Sequence, residues 1–255
     1  QRQMCIRDRI ITVYGRKPVL EALRDQSLDC HTLHLAQSNR PGGIVAEILA
    51  AAGARGISVR RHERTALSRI SRNGRQDQGV ALDILCPGFA ILADYLAGLA
   101  GSRPQRLLAL DGISNPQNLG MIVRSAAAGF IDGLLWSPRG NAALGPLVIK
   151  ASAGTLYRAP LLKCERIAQG LMDCRAAGFS VCTLRADAEQ SLFDFNPRGH
   201  CVFVLGNETE GISPQADELA DISLSIPMRN GVESLNVAVT ASLIAYAGAF
   251  GTKSC

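Results

Sequence analysis

The stretch QRLLALDGISNPQNLGMIVRSAAAGFIDGLLW, residues 105–136, decides the fold class of this chain. It opens with a short apolar run, Leu107–Leu110, passes through a polar loop, and then carries apolar residues at helical spacing over Leu119–Gly129. A second apolar run, Gly133–Trp136, follows directly. This order predicts a strand, a crossover helix and a parallel strand, which is the repeating unit of an open α/β sheet.

The same alternation of strands and helices continues toward the end of the sequence. Apolar runs predict strands at Phe179–Leu184, Cys201–Leu205 and Ile222–Ile226, and helical spacing predicts helices at Leu147–Thr155, Ile167–Ala177 and Leu235–Phe250. The strands are apolar along their whole length, as expected of strands that are covered on both faces. The sequence therefore predicts an α/β domain with a mostly parallel sheet between two layers of helices.

The first third of the sequence has a separate, smaller α/β pattern. It predicts two helices and three strands, at Pro18–Leu23, Ile44–Ala52, Thr32–Ala36, Ile57–Val59 and Val80–Leu85. We expect a domain over residues 10–88, a linker over 89–104 that contains an amphipathic helix at Ile91–Leu99, and a second domain over 105–255. Residues 1–9 have no periodicity and are left out of this prediction.

This first third also holds the excess positive charge. Residues 1–90 contain 14 basic and 8 acidic residues, whereas residues 91–255 contain 13 and 14. The basic residues concentrate at Arg55, Arg60, Arg61, Arg64, Arg69, Arg72 and Arg75. Because arginine binds phosphate with two parallel hydrogen bonds, this cluster indicates a surface that contacts a polyanion. A solvated arginine-rich helix face without a partner is the alternative.

The cysteines and the apolar runs exclude several classes of protein. None of the eight cysteines forms a Cys-x-x-Cys pair, so we expect no metal site and interpret them as small buried side chains in a reducing compartment. No apolar run reaches the roughly eighteen residues that a membrane helix needs, and no charged-then-apolar leader opens the chain. We therefore expect a cytoplasmic protein without a membrane partner.

The loop after the first strand of the second domain is the first of three unusual segments. It runs from Asp111 through an Asn/Pro-rich loop into the helix, where Asn118 is expected to be the N-cap. Arg124 lies six residues later on the same helix. A helix N-terminus attracts phosphate, and an arginine one to two turns further on reinforces that attraction. A capped helix with a surface arginine is the alternative.

Two more polar segments follow later strands. Gly206 ends a buried strand and is followed by an acidic loop that contains Glu208. After the strand that ends at Ile226, Ser234 is expected to cap the last helix, with Asn236 in its first turn as a buried amide that needs partners. The dinucleotide fingerprint Gly-x-Gly-x-x-Gly does not occur in the sequence, which disfavours a dehydrogenase.

Together, in this order, these segments resemble the three motifs of the SpoU (TrmH-type) branch of the SPOUT methyltransferases. They read Asn-x-x-Asn-Leu-Gly-x-x-x-Arg in 115–124, Leu-Gly-x-Glu-x-x-Gly in 205–211, and Ile-Pro-Met with Ser-Leu-Asn-Val in 226–237. The resemblance covers about 105–250.

The first 90 residues are similar to the substrate-binding domain of the RlmB-type ribosomal RNA enzymes, through Tyr14-Gly15 and Gln78-Gly79-Val80. The family usually has histidine in place of Asp77 and often alanine in place of Asn207.

The resemblance implies a trefoil-knotted SPOUT domain that forms a homodimer, preceded by a small L30e-like α/β domain that binds RNA. It implies S-adenosylmethionine as the cofactor and RNA as the partner. Carried over by motif position, the catalytic residues are Asn118, Arg124, Glu208, Ser234 and Asn236, and the cofactor-binding residues are Gly206, Ile226, Met228 and Leu235. For RNA binding we select the arginines Arg60, Arg61, Arg64, Arg72 and Arg75.

The expected reaction is methyl transfer to a ribose 2′-hydroxyl, with a guanosine of 23S ribosomal RNA as the favoured substrate and transfer RNA as the alternative. We expect Arg124 to grip a phosphate and stabilise the developing alkoxide, because a guanidinium keeps its proton and is therefore a poor base. Two other functions remain open: methylation of a base nitrogen, and an RNA-binding protein without catalysis.

Overall fold

A computed structural model describes residues 9–250 of the chain, with side chains through Ala247. This part of the chain forms two compact units. The first comprises the described residues through Pro87, and the short segment Leu144–Pro146 is grouped with it. The second comprises Gly88–Ala143 and the described residues from Leu147 onward.

The first unit is a four-stranded sheet with three helices. The strand order is β1-β4-β2-β3, with β4 antiparallel to both of its neighbours and β2 parallel to β3. The elements are β1 (Ile10–Tyr14), α1 (Arg16–Arg24), β2 (Asp29–Ala36), α2 (Gly43–Ala54), β3 (Ser58–His62), α3 (Arg64–Ser71) and β4 (Val80–Leu85).

Two elements of this unit were not predicted from the sequence, and strands β2 and β3 are both longer than predicted. Strand β1 is short but alternates regularly, with Ile11 and Val13 buried. Helix α3 is mostly polar, and only Leu67 and Ser71 on it are buried. Strand β3 extends past Val59 to His62 because it pairs in register with β2, so that tertiary pairing outweighs the polar sequence.

A row of hydrogen-bonded polar side chains crosses this sheet. The Thr12 hydroxyl donates to Asp83 Oδ1 at 2.7 Å, and Asp83 Oδ2 lies 3.1 Å from His34 Nε2. The other nitrogen of His34 lies 2.9 Å from His62 Nε2 on the edge strand. All four strands therefore contribute one member each to a single network. Because His34 is buried, this network satisfies polar groups that water does not reach.

The second unit is a seven-stranded sheet in which every observed pairing is parallel. The strand order is β11-β9-β10-β6-β7-β8-β5. The strands are β5 (Ala90–Ile91), β6 (Arg106–Leu110), β7 (Gly133–Trp136), β8 (Leu161–Lys163), β9 (Ser180–Leu184), β10 (Cys201–Leu205) and β11 (Ile222–Leu224). All five residues of the central strand β10 are buried. The prediction of a mostly parallel α/β sheet is therefore confirmed.

The helices of this unit follow the predicted alternation with shifted ends, except for the four-residue helix α8, which was not predicted. They are α4 (Leu92–Ala97), α5 (Pro116–Ala128), α6 (Pro146–Ala151), α7 (Ile167–Ala176), α8 (Pro214–Asp217) and α9 (Val237–Phe250). The helix predicted over Leu147–Thr155 ends early, because Ala153 and Gly154 both have positive φ angles. A short 3₁₀ helix, Thr155–Arg158, follows it.

The segment predicted as a linker, 89–104, is grouped as a whole with the second unit. Strand β5 pairs with β8 at the edge of the sheet, and Leu92 of α4 is 2% exposed within the hydrophobic core. The predicted helix Ile91–Leu99 is shorter than expected because its first residue pairs as a strand. Because it buries Leu92, the segment is part of the folded domain and not a free linker.

The cysteines of the described residues are free thiols, and four of them are buried: Cys86, Cys174, Cys182 and Cys201. Burial raises the pKa of these four thiols to between about 11 and about 12. They are inert packing residues, as predicted. Among residues 9–250, no helix is long and apolar enough to cross a membrane, and no three acidic, histidine or cysteine side chains form a group that could hold a metal ion.

The polar row predicts a pH dependence for the stability of the first unit. Burial, the His34 ring and Arg60 lower the pKa of His62 below 6.5. Burial raises the pKa of Asp83, but hydrogen bonds from His34 and Thr12 outweigh it and lower that pKa. Both groups take up protons more readily in the unfolded chain, so acidification removes stability. The contribution of His62 is full above pH 6.5 and declines below it, and that of Asp83 declines only in more acidic solution.

We expect the thermal unfolding midpoint of the first unit to fall between pH 7.5 and 5.0, and His62→Gln to flatten this decline. The control is His200→Gln, which changes a histidine of the second unit. An unchanged pH profile in His62→Gln would contradict the assignment.

Candidate active site

The carboxyl ends of the neighbouring strands β6 and β10 hold two of the three motif segments side by side. Asn207 Nδ2 donates to the Gly112 carbonyl oxygen at 2.8 Å, and Ser213 N donates to Asp111 Oδ2 at 2.7 Å. These bonds link residues about one hundred positions apart in sequence. The two loops therefore form one structure at the edge where open parallel sheets bind their ligands.

The loop after β10 is closed on itself. Asn207 and Gly211 exchange two backbone hydrogen bonds, of 2.8 and 3.0 Å, and the Asn207 side chain accepts the backbone N–H of Thr209 at 2.8 Å. A Cβ atom at Gly206 would lie 2.3 Å from the Gly211 carbonyl carbon. Glycine is thus required at position 206 by the loop's own backbone, a reason that the sequence analysis did not find.

The N-terminus of α5 differs from its prediction. Asn115, and not Asn118, is the N-cap: its side-chain oxygen accepts the N–H of Gln117 at 2.8 Å. Pro116 occupies the first helical position, where a missing N–H costs nothing. Asn118 therefore lies inside the first turn, where its side chain is free to make other bonds.

The Asn118 side chain is buried and joins the three motif segments. The residue is 8% exposed. Its Nδ2 donates a short hydrogen bond to Glu208 Oε1, and its Oδ1 accepts a hydrogen bond of 3.3 Å from Asn236 Nδ2. Three of the predicted catalytic residues, each from a different motif, are thus in direct contact. We call them the amide–carboxylate cluster.

The start of α9 also differs from its prediction. Asn236 directly precedes the helix, and its Oδ1 accepts the N–H of Ala238 at 2.9 Å, so it is the N-cap in place of Ser234. Asn236 is exposed and not buried, and it uses its oxygen for the cap and its nitrogen for the cluster. Ser234 is exposed in the preceding loop.

Arg124 lies outside the cluster. It is exposed on α5 and has no hydrogen bond or ion pair with any other described residue. It lies six positions after Asn118 on the helix, which turns its side chain about 120° around the helix axis from that residue. Within one chain, the structure does not bring these two predicted catalytic residues together.

A cleft of about 540 Å³ opens beside β11. Ile226 and Met228, both predicted to bind the cofactor, line it, whereas Gly206 and Leu235 are not among its lining residues. The other lining residues are Ala186, Ser225, Pro227, Val232 and Glu233. Sequence reasoning missed Ala186, although it lies two residues after the end of β9 and a search of every strand end would have found it. The walls are largely apolar and carry one carboxylate.

The arginines predicted to bind RNA lie in the first unit and are exposed. Arg60 and Arg61 are on β3, and Arg72 and Arg75 are in the loop after α3. The side chain of Arg64 is about half exposed and contacts that loop. Arg55, part of the basic stretch, instead donates to four backbone carbonyl groups near and beyond the end of α1. These bonds give it a structural role.

Comparisons with known proteins identify the family. A family model described as the SpoU rRNA Methylase family matches residues 105–246, more than half of the chain. A model described as RNA 2′-O ribose methyltransferase substrate binding matches residues 12–85. An uncharacterized tRNA/rRNA methyltransferase of Mycobacterium avium is 35% identical over 233 residues, which cover 91% of this chain and 75% of that protein. The chain belongs to the SpoU family of RNA methyltransferases.

Solved structures share the fold. A protein from Porphyromonas gingivalis, assigned to the TrmH family of RNA methyltransferases, superposes with a TM-score of 0.62 at 25% identity, covering 97% of this chain and 92% of that one. The SpoU methyltransferase AviRb from Streptomyces viridochromogenes, solved in complex with AdoMet, has a TM-score of 0.63 at 22% identity, covering 100% and 95%.

The tight loop after β10 predicts a large effect of one added methyl group. Gly206→Ala forces the Gly211–Ile212 backbone away, and we expect it to lower the free energy of unfolding by about 1–3 kcal/mol. The control is Gly199→Ala, an exposed glycine whose added Cβ meets no atom within 4 Å, and which we expect to change stability by less than about 0.5 kcal/mol. Equal denaturant midpoints for the two variants would contradict this account.

Proposed function

We propose that this protein transfers a methyl group from S-adenosylmethionine to a ribose 2′-hydroxyl of RNA. The observation that carries the proposal is the amide–carboxylate cluster, which unites all three motif segments in a chain of the SpoU family. The match of residues 12–85 to a 2′-O ribose methyltransferase substrate-binding model favours the ribose over a base nitrogen. The cluster also favours an enzyme over a binding protein without catalysis.

The cleft beside β11 has the chemistry to hold the cofactor. Ile226, Pro227, Met228 and Val232 offer apolar walls for the adenosyl group, and Glu233 offers a negative charge toward a cationic ligand. When bound, S-adenosylmethionine supplies the methyl group as an electrophile. Gly206 and Leu235 are proposed to flank the cofactor as well, by carry-over from the motifs. Structural neighbours solved with AdoMet support this assignment.

The cluster is proposed to position the acceptor sugar. Glu208 and Asn236 hold the Asn118 amide in one orientation, because each occupies one of its polar ends. Ser234, exposed just before α9, is proposed to bind the RNA backbone. Arg124 is proposed to grip the adjacent phosphate and to stabilise the negative charge that develops on the 2′-oxygen. Much of the acceleration would come from holding the reacting atoms in line.

A homodimer is proposed to complete this site. Arg124 does not reach Asn118 within one chain, so we assign the catalytic guanidinium to Arg124 of the partner subunit. Helices α5 and α9, one of which carries Arg124, expose apolar side chains. Met121 on α5 and Val239 on α9 are 41% and 48% exposed. Phe130 and Tyr246 contact each other edge to face. Apolar side chains exposed on neighbouring helices are typical of protein interfaces.

The first unit is proposed to bind the RNA substrate. Its exposed arginines fit phosphate, and the proposed RNA-binding set is Arg60, Arg61, Arg64, Arg72 and Arg75. A guanosine of 23S ribosomal RNA is the favoured target, by similarity to the RlmB-type enzymes, with transfer RNA as the second candidate. We also propose that the second unit contains a trefoil knot and that the first unit is L30e-like. The domain bounds given above and a cytoplasmic location are further proposals.

The modified product tests the reaction. We expect cellular RNA from a strain without this protein to lack one 2′-O-methylated nucleoside that returns on complementation, as read by nuclease digestion and nucleoside mass spectrometry. Finding a methylated base in place of a methylated ribose would overturn the proposal. Comparing purified 23S ribosomal RNA with transfer RNA decides between the two substrates.

Removal of the Arg124 guanidinium tests the mechanism. Because it is assigned to the transition state and not to the cofactor, we expect Arg124→Ala to lower turnover by about 100-fold or more while cofactor affinity stays within a factor of about two. Arg198→Ala, which removes another exposed arginine of the second unit, is the control and is expected to keep full activity. Near-normal turnover in Arg124→Ala would refute the assigned role.

A further inference from the structure

Asp77 is a fully buried carboxylate in the first unit, directly before the strand start Gln78-Gly79-Val80. It is 0% exposed. One of its oxygens accepts the Ser71 hydroxyl at 2.8 Å, and the other accepts the Gly79 N–H at 2.9 Å and lies 3.2 Å from Arg64 Nη2. A buried charge is tolerated only when it is paired and hydrogen-bonded, and here three donors satisfy it.

These bonds connect both ends of α3 to the loop that follows it. Arg64 is the first residue of the helix and Ser71 is the last. The same Arg64 nitrogen that contacts Asp77 also donates to the Gly74 carbonyl oxygen at 2.9 Å. One guanidinium therefore binds the loop at two points, and Asp77 fixes that guanidinium from within. We call Arg64, Ser71 and Asp77 the carboxylate latch.

The loop that the latch holds, residues 72–78, has an uncommon backbone. Arg72 and Gln78 have φ angles of 54° and 51°, in the left-handed region that non-glycine residues rarely adopt. Such residues persist only where the surrounding structure determines them. Asn73 Nδ2 adds a further bond, to the Tyr14 hydroxyl oxygen at 3.0 Å. The loop conformation is thus set by buried contacts before any ligand is present.

The same loop displays two exposed arginines. Arg72 and Arg75 are exposed, while Asp77 is fully buried. Because Asp77 contributes a negative charge beside a basic surface, its electrostatic effect on a polyanion is unfavourable. Any favourable effect of Asp77 on RNA binding therefore comes from its ordering of the loop. An ordered loop loses less conformational entropy when it binds RNA.

We propose that Asp77 is a positioning residue for RNA: it orders the 72–78 loop so that Arg72 and Arg75 face the RNA backbone in a preformed arrangement. This inference rests on the proposed RNA-binding role of the first unit. Loss of a carboxylate ordinarily strengthens binding to a polyanion, because it removes a repulsive charge. If Asp77 orders the loop, its loss instead weakens RNA binding.

The test compares two substitutions that remove the same charge in the full-length protein. Asp77→Asn removes the latch carboxylate. The matched control, Glu63→Gln, removes the exposed carboxylate that precedes α3 and makes no side-chain cap bond. The first readout is limited trypsin digestion without RNA, which reports cleavage after Arg72 and Arg75. The second is affinity for an unmodified 23S ribosomal RNA transcript and for a transfer RNA transcript, measured over a range of salt concentrations.

We expect Asp77→Asn to increase cleavage after Arg72 and Arg75 and to weaken RNA binding by about tenfold, a typical cost of lost preorganisation. Glu63→Gln is expected to leave cleavage unchanged and to bind RNA as well as wild type or better. S-adenosylmethionine affinity, measured by calorimetry, is expected to be the same in all three proteins. Ser71→Ala removes one hydrogen-bond donor from the same carboxylate and is expected to give the same changes at smaller size. If Asp77→Asn does not fold, Ser71→Ala tests the role of the latch in its place.

Three results would overturn the inference. Wild-type RNA affinity in a variant whose loop is cleaved would show that the ordered loop is not needed. Unchanged cleavage in both latch variants would show that Asp77 does not hold it. If the wild-type protein bound neither transcript, the proposed role of the first unit would fail together with the inference, and the trypsin result would still report whether the latch exists.

Discussion

The Asn118 side chain is the interaction on which the site depends. Its amide is buried between a carboxylate from the loop after β10 and an amide from the start of α9, and its two polar ends face one partner each. A carboxamide suits this place because it offers a donor and an acceptor on one short side chain. A buried group left without a partner costs about 1–3 kcal/mol. Glu208 and Asn236 are both exposed and each contacts Asn118, so together they hold its buried amide in one orientation.

The backbone around this cluster is arranged so that its side chains are available. Asn115 and Pro116 begin α5, which leaves Asn118 free within the first turn. Asn236 caps α9 with its oxygen and still donates with its nitrogen. Gly206 allows the β10 loop to close against its own backbone. Pro116 at the start of α5, the Asn236 cap of α9 and the close backbone contact at Gly206 therefore all help to position the Asn118 amide.

Periodicity predicted most of the fold, while the details of the site needed tertiary contacts. Strands β7 and β10 lie where their apolar runs place them, because buried parallel strands are apolar throughout. The assignment of Asn118 and Ser234 as caps was wrong, since several residues near each helix start are able to cap and only the tertiary structure selects among them. The edge strand β5, two residues long, has too little sequence to show a pattern. The burial of Asp77 was hidden by its polar neighbours.

The central claim is that three strand-end segments converge on one place where a methyl donor meets an RNA sugar. A crystal structure of the protein with S-adenosylmethionine tests it most directly. We expect the cofactor in the cleft lined by Ile226 and Met228, with its methyl group directed toward Asn118 and with Arg124 of the partner subunit on the same side. A cofactor bound elsewhere, or Arg124 directed away from the methyl group in every subunit, would contradict it.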